Sequence, residues 1–399
     1  MKRIAIATTS RADYGIYRPL LERLAAQRQC RMHIIAGGAH ISEGTIDRIR
    51  SDGYTVDETV DCLLACDTAA ATTAAMGLAV AGFGRALDRV KPDLLLVLGD
   101  RFEMHAAALA ALPLRVPVGH IHGGELTLGA IDDSLRHSMT KLSHIHFPAT
   151  AAYARRIRQM GEPAERIFVC GALGLDHMAA TPRMDRQQLR KQYGVTLPEG
   201  YLLVTFHPPT LEAADVETQT RRLFDALIEC GRPIVFTRAN ADAGGRRINA
   251  MIDGFIEAHP AAQVADNLGA GFYFNAMRLA DAMVGNSSSG IIEAPAARVP
   301  VVNIGSRQDG RLRAANVIDV PCDSGAILGA IHRALSCRFR QRLAGMVNPY
   351  GEGGAAARIL SVLDDMPPAE VLLRKPFADI EPHEKVIPDN GEAVGRVAA

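Results

Sequence analysis

The sequence lacks tryptophan and any excess of charge of one sign. Its 44 Lys and Arg residues equal its 44 Asp and Glu residues, and aromatic residues make up only 5% of the 399. A chain without net positive charge, and without a basic segment interleaved with aromatic residues, has little attraction for nucleic acid or for an anionic membrane. We therefore expect neither nucleic acid nor a membrane among its partners.

Cysteine usage gives no sign of disulfide bonds or of a thiolate metal site. The seven cysteines are scattered and odd in number, and Cys62 and Cys66 have three residues between them. That spacing fits neither a redox pair nor a zinc knuckle. We expect all seven to be reduced and most of them to be buried as small hydrophobic side chains.

No segment has the pattern of a signal peptide or of a membrane span. Residues 1–7 run directly into a strand pattern, without a charged and apolar leader. The alanine-rich segment 68–83 contains several threonines and is shorter than a spanning helix requires, so we interpret it as a packed helix. These features predict a cytoplasmic protein.

Short apolar runs alternate with amphipathic stretches along most of the chain, which is typical of parallel sheets flanked by helices. This alternation predicts an α/β fold with two doubly wound, Rossmann-like domains that face each other across a cleft. A ligand would lie in that cleft, beyond the carboxyl ends of the strands. The candidate strands begin at Arg3, Met32, Asp93, Pro117, Ile145, Ile167, Tyr201, Pro233, Asp281, Val299 and Val317.

The same patterns divide the chain into four parts. Residues 1–182 are expected to form an N-terminal Rossmann-like domain that carries acid–base carboxylates, and 183–200 a polar linker with proline and glycine. Residues 201–366 would form a second Rossmann-like domain. Residues 367–399 have few clustered apolar side chains and several prolines, which predicts an extended tail.

The most informative segment is Gly-Asn-Ser-Ser-Ser-Gly at residues 285–290. It lies between an apolar run and Ile-Ile, so it predicts a strand-to-helix turn. Such a turn directs backbone N–H groups, hydroxyl groups and the positive end of a helix dipole at one anion. Glu293, about one helical turn later, is placed to accept hydrogen bonds from a ribose diol. The turn indicates a nucleoside diphosphate site, and its alternative is a capped, buried helix.

Three carboxylates are expected to converge in the cleft from neighbouring strand ends. Asp100 ends the most apolar strand, where partial loss of solvent would raise its pKa toward acid–base use. Two glycines allow the chain to turn and bring in Glu125, and Asp132 opens the next helix. Mutual repulsion would keep one of the three protonated near neutral pH, as in enzymes with a paired acid and base. For Asp100 a helix N-cap is the alternative.

Basic and polar side chains follow other candidate strands. Arg11 comes after the first strand, where a guanidinium can hold a diphosphate in a fork. His207 ends a strand of the second half and is followed by two prolines, so it could contact a phosphate or protonate a leaving group. The loop with Asn240 would line the sugar or phosphate site, and Arg307 and Arg311 add cationic donors near the serine-rich turn.

Four histidines alternate in pairs on two candidate strands, at positions 120 and 122 and at positions 144 and 146. This spacing could serve a metal ion, but no thiolate joins the histidines and strand alternation points some of them into the core. We expect no metal site, and nothing in the sequence indicates another cofactor.

Several of these segments, in this order, resemble the UDP-N-acetylglucosamine 2-epimerase family, and most closely its hydrolysing branch, which serves the synthesis of sialic- and legionaminic-type sugars. The matching segments span residues 4 to about 365 and are more specific together than any one of them. They begin at Ser10 (Ser-Arg-Ala-Asp-Tyr), Gly99 (Gly-Asp-Arg-Phe-Glu), His120 (His-Ile-His-Gly-Gly-Glu), Ala130 (Ala-Ile-Asp-Asp-Ser-Leu-Arg-His), Phe206 (Phe-His-Pro), Gly285 (Gly-Asn-Ser-Ser-Ser-Gly) and Ser306 (Ser-Arg-Gln).

The resemblance implies a glycosyltransferase-B-like pair of domains that closes on a UDP-sugar, without a metal, and a homo-oligomer such as a dimer or tetramer. It implies that the C2 proton is removed, that UDP leaves C1 in an anti elimination, and that water adds to the 2-acetamidoglycal. The product would be a free N-acetylmannosamine-type sugar. By position in the motifs, the catalytic residues would be Asp100, Glu125, Asp132 and His207. The residues that hold UDP would be Arg11, Arg101, His207, Asn240, Ser287, Ser288, Glu293 and Arg307.

Two departures and several alternatives accompany the resemblance. Some family members carry Glu where this chain has His122, which leaves the division of labour between Glu125 and His122 open, and Pro209 replaces a commoner valine. The substrate could be UDP-N-acetylglucosamine or its 6-deoxy, 4-acetamido relative, UDP-N,N'-diacetylbacillosamine. The chain could instead be a non-hydrolysing epimerase, a glycosyltransferase on the same scaffold, or a nucleotide-sugar-binding regulator without turnover. The carboxylate cluster favours an enzyme over a protein that only binds. Buried carboxylates without partners destabilise the fold, so they are expected where catalysis uses them.

Overall fold

Two six-stranded parallel sheets organise the chain. The computed structural model describes residues 1–66, 68–128, 130–208, 216–239, 244–265 and 268–379. The first sheet contains β1 (Lys2–Thr8), β2 (Cys30–Gly37), β3 (Glu58–Val60), β4 (Leu94–Leu98), β5 (Val118–Ile121) and β6 (Ile145–Phe147). The second contains β7 (Leu202–Thr205), β8 (Ile234–Phe236), β9 (Ala262–Val264), β10 (Ala282–Gly285), β11 (Val301–Ile304) and β12 (Val317–Val320).

Helices cover both faces of the sheets, which is why strands such as β4 are apolar along their whole length and completely buried. A short 3-10 turn lies at Ala164–Arg166. The α-helices are α1 (Arg11–Ala25), α2 (Ala39–Ser42), α3 (Ile46–Ser51), α4 (Ala69–Val90), α5 (Phe102–Ala111), α6 (Asp132–Leu142), α7 (Ala151–Gln159), α8 (Leu173–Ala180), α9 (Arg186–Tyr193), α10 (Val216–Cys230), α11 (Gly245–Ala258), α12 (Gly269–Leu279), α13 (Ser288–Ile292), α14 (Ala294–Ala297), α15 (Ser324–Leu335), α16 (Cys337–Gln341), α17 (Ala355–Asp364) and α18 (Ala369–Leu373).

Both sheets are doubly wound, so the predicted fold class is confirmed. Their strand orders are β3-β2-β1-β4-β5-β6 and β12-β11-β10-β7-β8-β9. The order therefore reverses between β1 and β4 in the first sheet and between β7 and β10 in the second. The loops that follow these four strands diverge at the carboxyl edge and leave a crevice for a ligand. Asp100 and the serine-rich turn lie in two of those loops.

The strand pattern differs from the predicted one at three places. The segment that begins at Ile167 forms only an isolated bridge with His146 and no strand. The pattern missed β3 and β9, which are three-residue edge strands and contain the polar residues Glu58 and Gln263. Strands this short carry too little periodicity to stand out from a turn.

Helix α4 is longer than predicted. It has 22 residues and does not stop near residue 83, so by length and composition it could cross a membrane. Six of its residues, among them Ala79, Phe83 and Leu87, are buried against the first sheet, and 28% of its apolar window is buried in all. Arg85 and Asp88 occupy its last turns. The buried residues form one face of α4, by which the helix packs on the first sheet, as the sequence predicts.

Residues 183–200 contain a helix where a simple linker was predicted. The α9 helix begins with a capping box, in which Asp185 accepts a hydrogen bond from Gln188 N while the Gln188 side chain accepts one from Asp185 N. Leu189 and Leu197 are buried with Tyr201 in a core beside the second sheet. This connection is thus packed against the second half of the chain.

The C-terminal segment returns to the first half. Ala356 and Ile359 of α17 and Leu372 of α18 are buried in the core of the first sheet. The division at residue 366 would place α17 with the second half, whereas its apolar face packs with the first. The other boundaries, at residues 182 and 200, stay predictions.

The described part of the predicted tail, residues 367–379, is docked and partly helical, so the prediction of an extended tail is wrong for this part. Lys375 forms an ion pair of 2.8 Å with the buried Glu162, and Ala378 N donates a hydrogen bond of 2.9 Å to Gly161 O. Arg166 donates hydrogen bonds to main-chain oxygens of the same segment. Residues 380–399 lie outside the described residues.

Candidate active site

The serine-rich turn has the strand-to-helix form that the sequence predicts. Gly285 ends β10 with a φ of 138°, and a Cβ atom there would overlap the carbonyl oxygen of Thr205 on the adjacent β7. The position therefore requires glycine. Ser287 caps α13, because its hydroxyl oxygen accepts a hydrogen bond of 3.3 Å from Ser289 N. Ser287 and Ser288 are partly exposed at the carboxyl end of the strand.

Asn286 joins three loops around this turn. Its Oδ1 accepts a hydrogen bond of 2.7 Å from His207 N, and its Nδ2 donates one of 2.8 Å to His207 O. Its main-chain oxygen accepts hydrogen bonds from Gln308 Nε2 at 2.8 Å and from Arg307 Nη1 at 3.3 Å. The loops after β7, β10 and β11 are thereby held together, which places His207 and Arg307 beside the serine-rich turn.

Glu293 lies at the end of α13 and faces the first half of the chain. It is buried, and burial raises its pKa to about 8. A Cβ atom on Gly174 of α8 would lie 2.6 Å from Glu293 Oε1, so this carboxyl group rests against α8. Near neutral pH the raised pKa favours the protonated form, which can donate a hydrogen bond.

Glu125 is the most deeply buried of the three predicted carboxylates. Its Oε1 is 2.7 Å from His122 Nδ1, and its Oε2 is 3.2 Å from the Arg311 guanidinium. Burial alone would raise the pKa of Glu125, but Arg311 and the hydrogen bond from His122 outweigh it and lower that pKa. Glu125 is therefore held as a carboxylate.

Asp100 follows β4 and forms an ion pair with Arg136 of α6. The Asp100 side chain is 20% exposed, whereas that of Arg136 is 1% exposed. Among the described residues, nothing accepts a hydrogen bond from Nε or Nη1 of Arg136. A buried guanidinium with two unused donors is costly, so this part of the cleft is suited to a ligand that brings further acceptors.

Asp132 begins α6 one helical turn before Arg136, so both project from the same face of the helix. The ion pair between Arg136 and Asp100 brings Asp100 next to the same face of α6. The next residue, Asp133, has a structural use: its Oδ1 accepts a hydrogen bond of 2.7 Å from Thr127 N and fixes the loop before the helix. Asp132 is partly exposed and has electrostatic partners within the protein.

The two halves meet directly at this site. Besides the ion pair between Glu125 and Arg311, Leu128 N donates a hydrogen bond of 3.2 Å to Asp309 O. Tyr153 of α7 also crosses the cleft, because its hydroxyl oxygen accepts a hydrogen bond of 3.0 Å from Leu312 N. The acidic loops of the first half and the loop after β11 therefore line one shared cleft.

The predicted nucleotide-binding residues of the first half lie at its carboxyl edge. Arg11 is the first residue of α1, after a turn in which Asp13 accepts hydrogen bonds from Thr9 N and Ser10 N. Arg101 is paired with the buried Glu103 at 3.0 Å. Asn240 of the second half lies outside the described residues. Roles in nucleotide binding stay predictions for all of these side chains.

Sequence reasoning left three residues of the site out of its predicted set. Asn286 stands within the serine-rich motif, but the serines drew attention as phosphate donors. Arg136 stands in the matched segment after Asp132, and only the fold reveals that it reaches Asp100. The sequence indicates Arg311 as a donor near the serine-rich turn, but it does not identify Glu125 as the partner of Arg311.

The paired histidines have separate partners. His120 Nε2 is 2.8 Å from Gly99 O, and burial lowers the pKa of His120 to about 4. His146 Nε2 is 2.9 Å from the Glu162 carboxylate, and His144 Nδ1 accepts a hydrogen bond from Val118 N. Within the described ranges, no group of three His, Cys, Asp or Glu side chains is placed to hold a metal ion.

Comparisons with known proteins identify the family of the chain. The family model for UDP-N-acetylglucosamine 2-epimerase matches residues 22–364. A protein of Campylobacter jejuni named GDP/UDP-N,N'-diacetylbacillosamine 2-epimerase (hydrolyzing) is 36% identical over 323 residues, which cover 80% of this chain and 84% of that protein. A protein of Legionella pneumophila named UDP-N,N'-diacetylbacillosamine 2-epimerase (hydrolyzing) is 34% identical over 378 residues, covering 94% of this chain and 99% of the relative.

A solved structure shares the architecture. The crystal structure of UDP-GlcNAc 2-epimerase from Neisseria meningitidis bound to UDP-GlcNAc superposes with a TM-score of 0.78 at 17% sequence identity. The match covers 91% of this chain and 99% of that chain. At this identity the likeness shows the fold, in which two Rossmann-like domains face each other as in glycosyltransferases of the B type.

Proposed function

Since the chain belongs to the UDP-N-acetylglucosamine 2-epimerase family, and within it to the hydrolysing branch, we propose that it converts a UDP-linked 2-acetamido sugar into UDP and the free C2-epimer of that sugar. The ion pair between Glu125 and Arg311 carries this proposal. It joins the acid–base loops of the first half to the anion-binding loops of the second, so that one sugar nucleotide can touch both.

In the first step, a carboxylate takes the proton from C2 while the C1–oxygen bond to UDP breaks. The electron pair of the C2–H bond becomes the C1–C2 double bond, and UDP leaves with the electrons of the C1–oxygen bond. Asp100 suits the role of base, because it is ion-paired with Arg136 yet keeps part of its side chain open to the cleft. A positioned and poorly solvated base is needed, since a C2 proton is only weakly acidic.

Negative charge develops on the departing diphosphate during this step. The N-terminus of α13, with Ser287 and Ser288, and the guanidinium groups of Arg11, Arg101 and Arg307 would stabilise that charge. His207 lies beside them and would contact the phosphates or supply a proton to the leaving group. Glu293 and Asn240 would hold the ribose and sugar. Asp132 and Glu125 would serve the addition of water that follows.

The sugar is proposed to be either UDP-N-acetylglucosamine or UDP-N,N'-diacetylbacillosamine. The names of the relatives from Campylobacter and Legionella favour the second, and the family model carries the name of the first. We further propose that the protein is cytoplasmic, acts as a homo-oligomer, and supplies sugars for sialic- or legionaminic-type acids.

A proton NMR time course in deuterated buffer tests the function with each UDP-sugar. The expected result is free UDP together with a free sugar that carries deuterium at C2. An unchanged donor, a UDP-linked epimer, or transfer only in the presence of an acceptor would contradict the proposal.

Two variants, placed at opposite ends of β4, sharpen this test. Asp100→Asn should abolish turnover while UDP still binds. Asp93→Asn, at the other end of β4, removes a carboxylate that accepts a hydrogen bond from Arg3 N and should keep turnover near that of the wild type. Full activity of Asp100→Asn would remove Asp100 from the mechanism.

A further inference from the structure

His122 has an unusual backbone conformation for a buried residue. It follows β5 directly and has a φ of 64°, in the left-handed region that residues other than glycine seldom adopt. Three other non-glycine residues share a positive φ in the described part of the chain, namely Lys91, Arg115 and Arg298, and all three are exposed. A hydrogen bond of 3.1 Å from His122 N to Phe147 O holds the conformation. Strain of this kind in a buried residue at a strand end is typical of functional sites.

The imidazole of His122 is oriented by one neighbour. Because the Glu125 carboxylate can only accept a hydrogen bond, the proton between them belongs to His122 Nδ1, at 2.7 Å. In the neutral ring Nε2 is then the basic nitrogen. Within the described ranges Nε2 has no hydrogen-bond partner, and it is not one of the fully buried unpartnered atoms, so it keeps accessible surface. The ring thus offers a free base on its open side.

The position of that base fits the cleft. Gly99 N donates a hydrogen bond of 2.9 Å to Ile121 O, so the residues after β4 and β5, Asp100 and His122, lie side by side at the carboxyl edge. On its other side, Glu125 is paired with Arg311 from the second half. The orientation of the imidazole is therefore completed only when both halves meet.

The other histidines near this edge lack these properties. His120 is completely buried, and its Nε2 is engaged by Gly99 O. His146 is also completely buried, with its Nε2 engaged by Glu162. Of these three histidines, His122 combines an orienting carboxylate with an accessible nitrogen.

We infer that His122 is the catalytic base for the second half-reaction of the proposed function, on which this inference rests, and that Glu125 is its positioning residue. His122 Nε2 accepts a proton from water as the water oxygen forms a bond to C1 of the 2-acetamidoglycal. The electron pair of the C1–C2 double bond takes a proton from an acidic side chain of the site, which gives the C2–H bond. One proton is accepted and one is donated, so that hydration is balanced.

A catalytic base in hydration alone predicts a separation of the two half-reactions. The wild type, His122→Gln and His122→Asn are compared in two assays: release of UDP from the UDP-sugar, and hydration of 2-acetamidoglycal supplied together with UDP. Asparagine tolerates the left-handed backbone better than glutamine, so the second variant separates loss of the base from backbone strain. The matched control is His332→Gln, at an exposed position on α15.

His122→Gln and His122→Asn should both release UDP within about threefold of the wild-type rate and accumulate the glycal. Their hydration rate should fall by about 10²- to 10⁴-fold, as is typical for loss of a general base, and added imidazole should restore it in proportion to concentration. Glu125→Gln should also accumulate glycal, with less rescue by imidazole, because His122 remains in place. Unchanged UDP affinity and thermal unfolding would show that the variants are folded.

The inference would be overturned if either variant formed free sugar within about threefold of the wild type, or if UDP release and hydration fell together. A wild-type protein that released no UDP from any UDP-sugar would overturn the proposed function, and the inference with it. A role in folding alone would appear as a loss of UDP binding in both variants without accumulation of glycal, and this too would overturn the inference.

Discussion

Glu125 and Glu162 are both buried carboxylates of the first half, and each is bonded to a histidine of the β5–β6 edge. Glu162 is surrounded by His146 at 2.9 Å, Lys141 at 2.5 Å and Lys375 at 2.8 Å. Burial alone would raise the pKa of Glu162, but these three donors lower it to about 2. All of its donors come from the first half or from the C-terminal segment docked on it. Because the carboxylate is completely buried among these donors, it is closed to a ligand.

Glu125 has the same kind of partners with a different outcome. Its cation, Arg311, comes from the other half of the chain and keeps an Nε without a partner among the described residues. Its histidine, His122, keeps an accessible nitrogen. A buried Glu–His pair does not by itself identify an active site. Unused hydrogen-bonding capacity, and a partner from a second domain, distinguish Glu125 from Glu162.

The largest expected effect is on turnover. Glu125→Gln should lower the rate of free-sugar formation by about 10²- to 10⁴-fold, since it removes the carboxylate that orients His122 and pairs with Arg311. Glu162→Gln should change that rate by less than about tenfold under conditions in which both variants are folded. The rates are measured by NMR at saturating UDP-sugar. Equal losses in the two variants would remove the distinction between the two carboxylates.

The next effect is on the free energy of unfolding. Here Glu162→Gln should cause a larger loss than Glu125→Gln. Glu162→Gln leaves Lys375, whose side chain is 13% exposed, without its carboxylate, so the free energy of unfolding should fall by about 3 kcal/mol. Urea denaturation followed by circular dichroism measures the loss. A variant as stable as the wild type would show that Lys375 finds another partner.

A smaller loss is expected from the C-terminal segment. Lys375→Ala removes one of the donors of Glu162 and should lower the free energy of unfolding by about 1–3 kcal/mol. The matched control Lys191→Ala lies on the exposed face of α9 and should change it by less than about 0.5 kcal/mol. Equal effects of the two changes would mean that residues 367–379 do not stabilise the first half.

The smallest effect is a pH dependence. The pKa of Glu162 is about 2 in the folded protein, below its ordinary value of 4.5. Its contribution to stability is therefore fully present above about pH 4.5 and is lost as the pH falls toward 2. Urea midpoints measured across this window should fall more steeply for the wild type than for Glu162→Gln. Parallel curves would contradict the low pKa.

The sequence predicted the fold and the neighbourhood of the site because both depend on local pattern. In a parallel sheet, polar residues directly after an apolar run fall at the carboxyl edge, which is why Asp100, Glu125 and the serine-rich turn could be located in advance. Gly285 is visible in the sequence as part of the serine-rich motif, but its contact with Thr205 of β7, which requires glycine there, is visible only in the fold.

Other features depend on contacts between distant parts of the chain and leave no local pattern. Nothing near Glu125 indicates that Arg311 is its partner, and nothing near α17 indicates that its apolar face belongs with the first sheet. The sequence marks His122 as one of four alternating histidines and as a departure from some family members. Its conformation and free nitrogen become visible once β5 and the Glu125 loop are folded.

The return of α17 and α18 to the first core has a consequence for biosynthesis. The first sheet is translated early, yet Ala356, Ile359 and Leu372, which close its core, leave the ribosome only after the entire second sheet. While the second half is being synthesised, the part of the first core that α17 and α18 later cover is therefore exposed to solvent. We therefore expect nascent chains arrested before residue 355 to recruit chaperones and to resist protease poorly, and full-length chains to lose both properties on release.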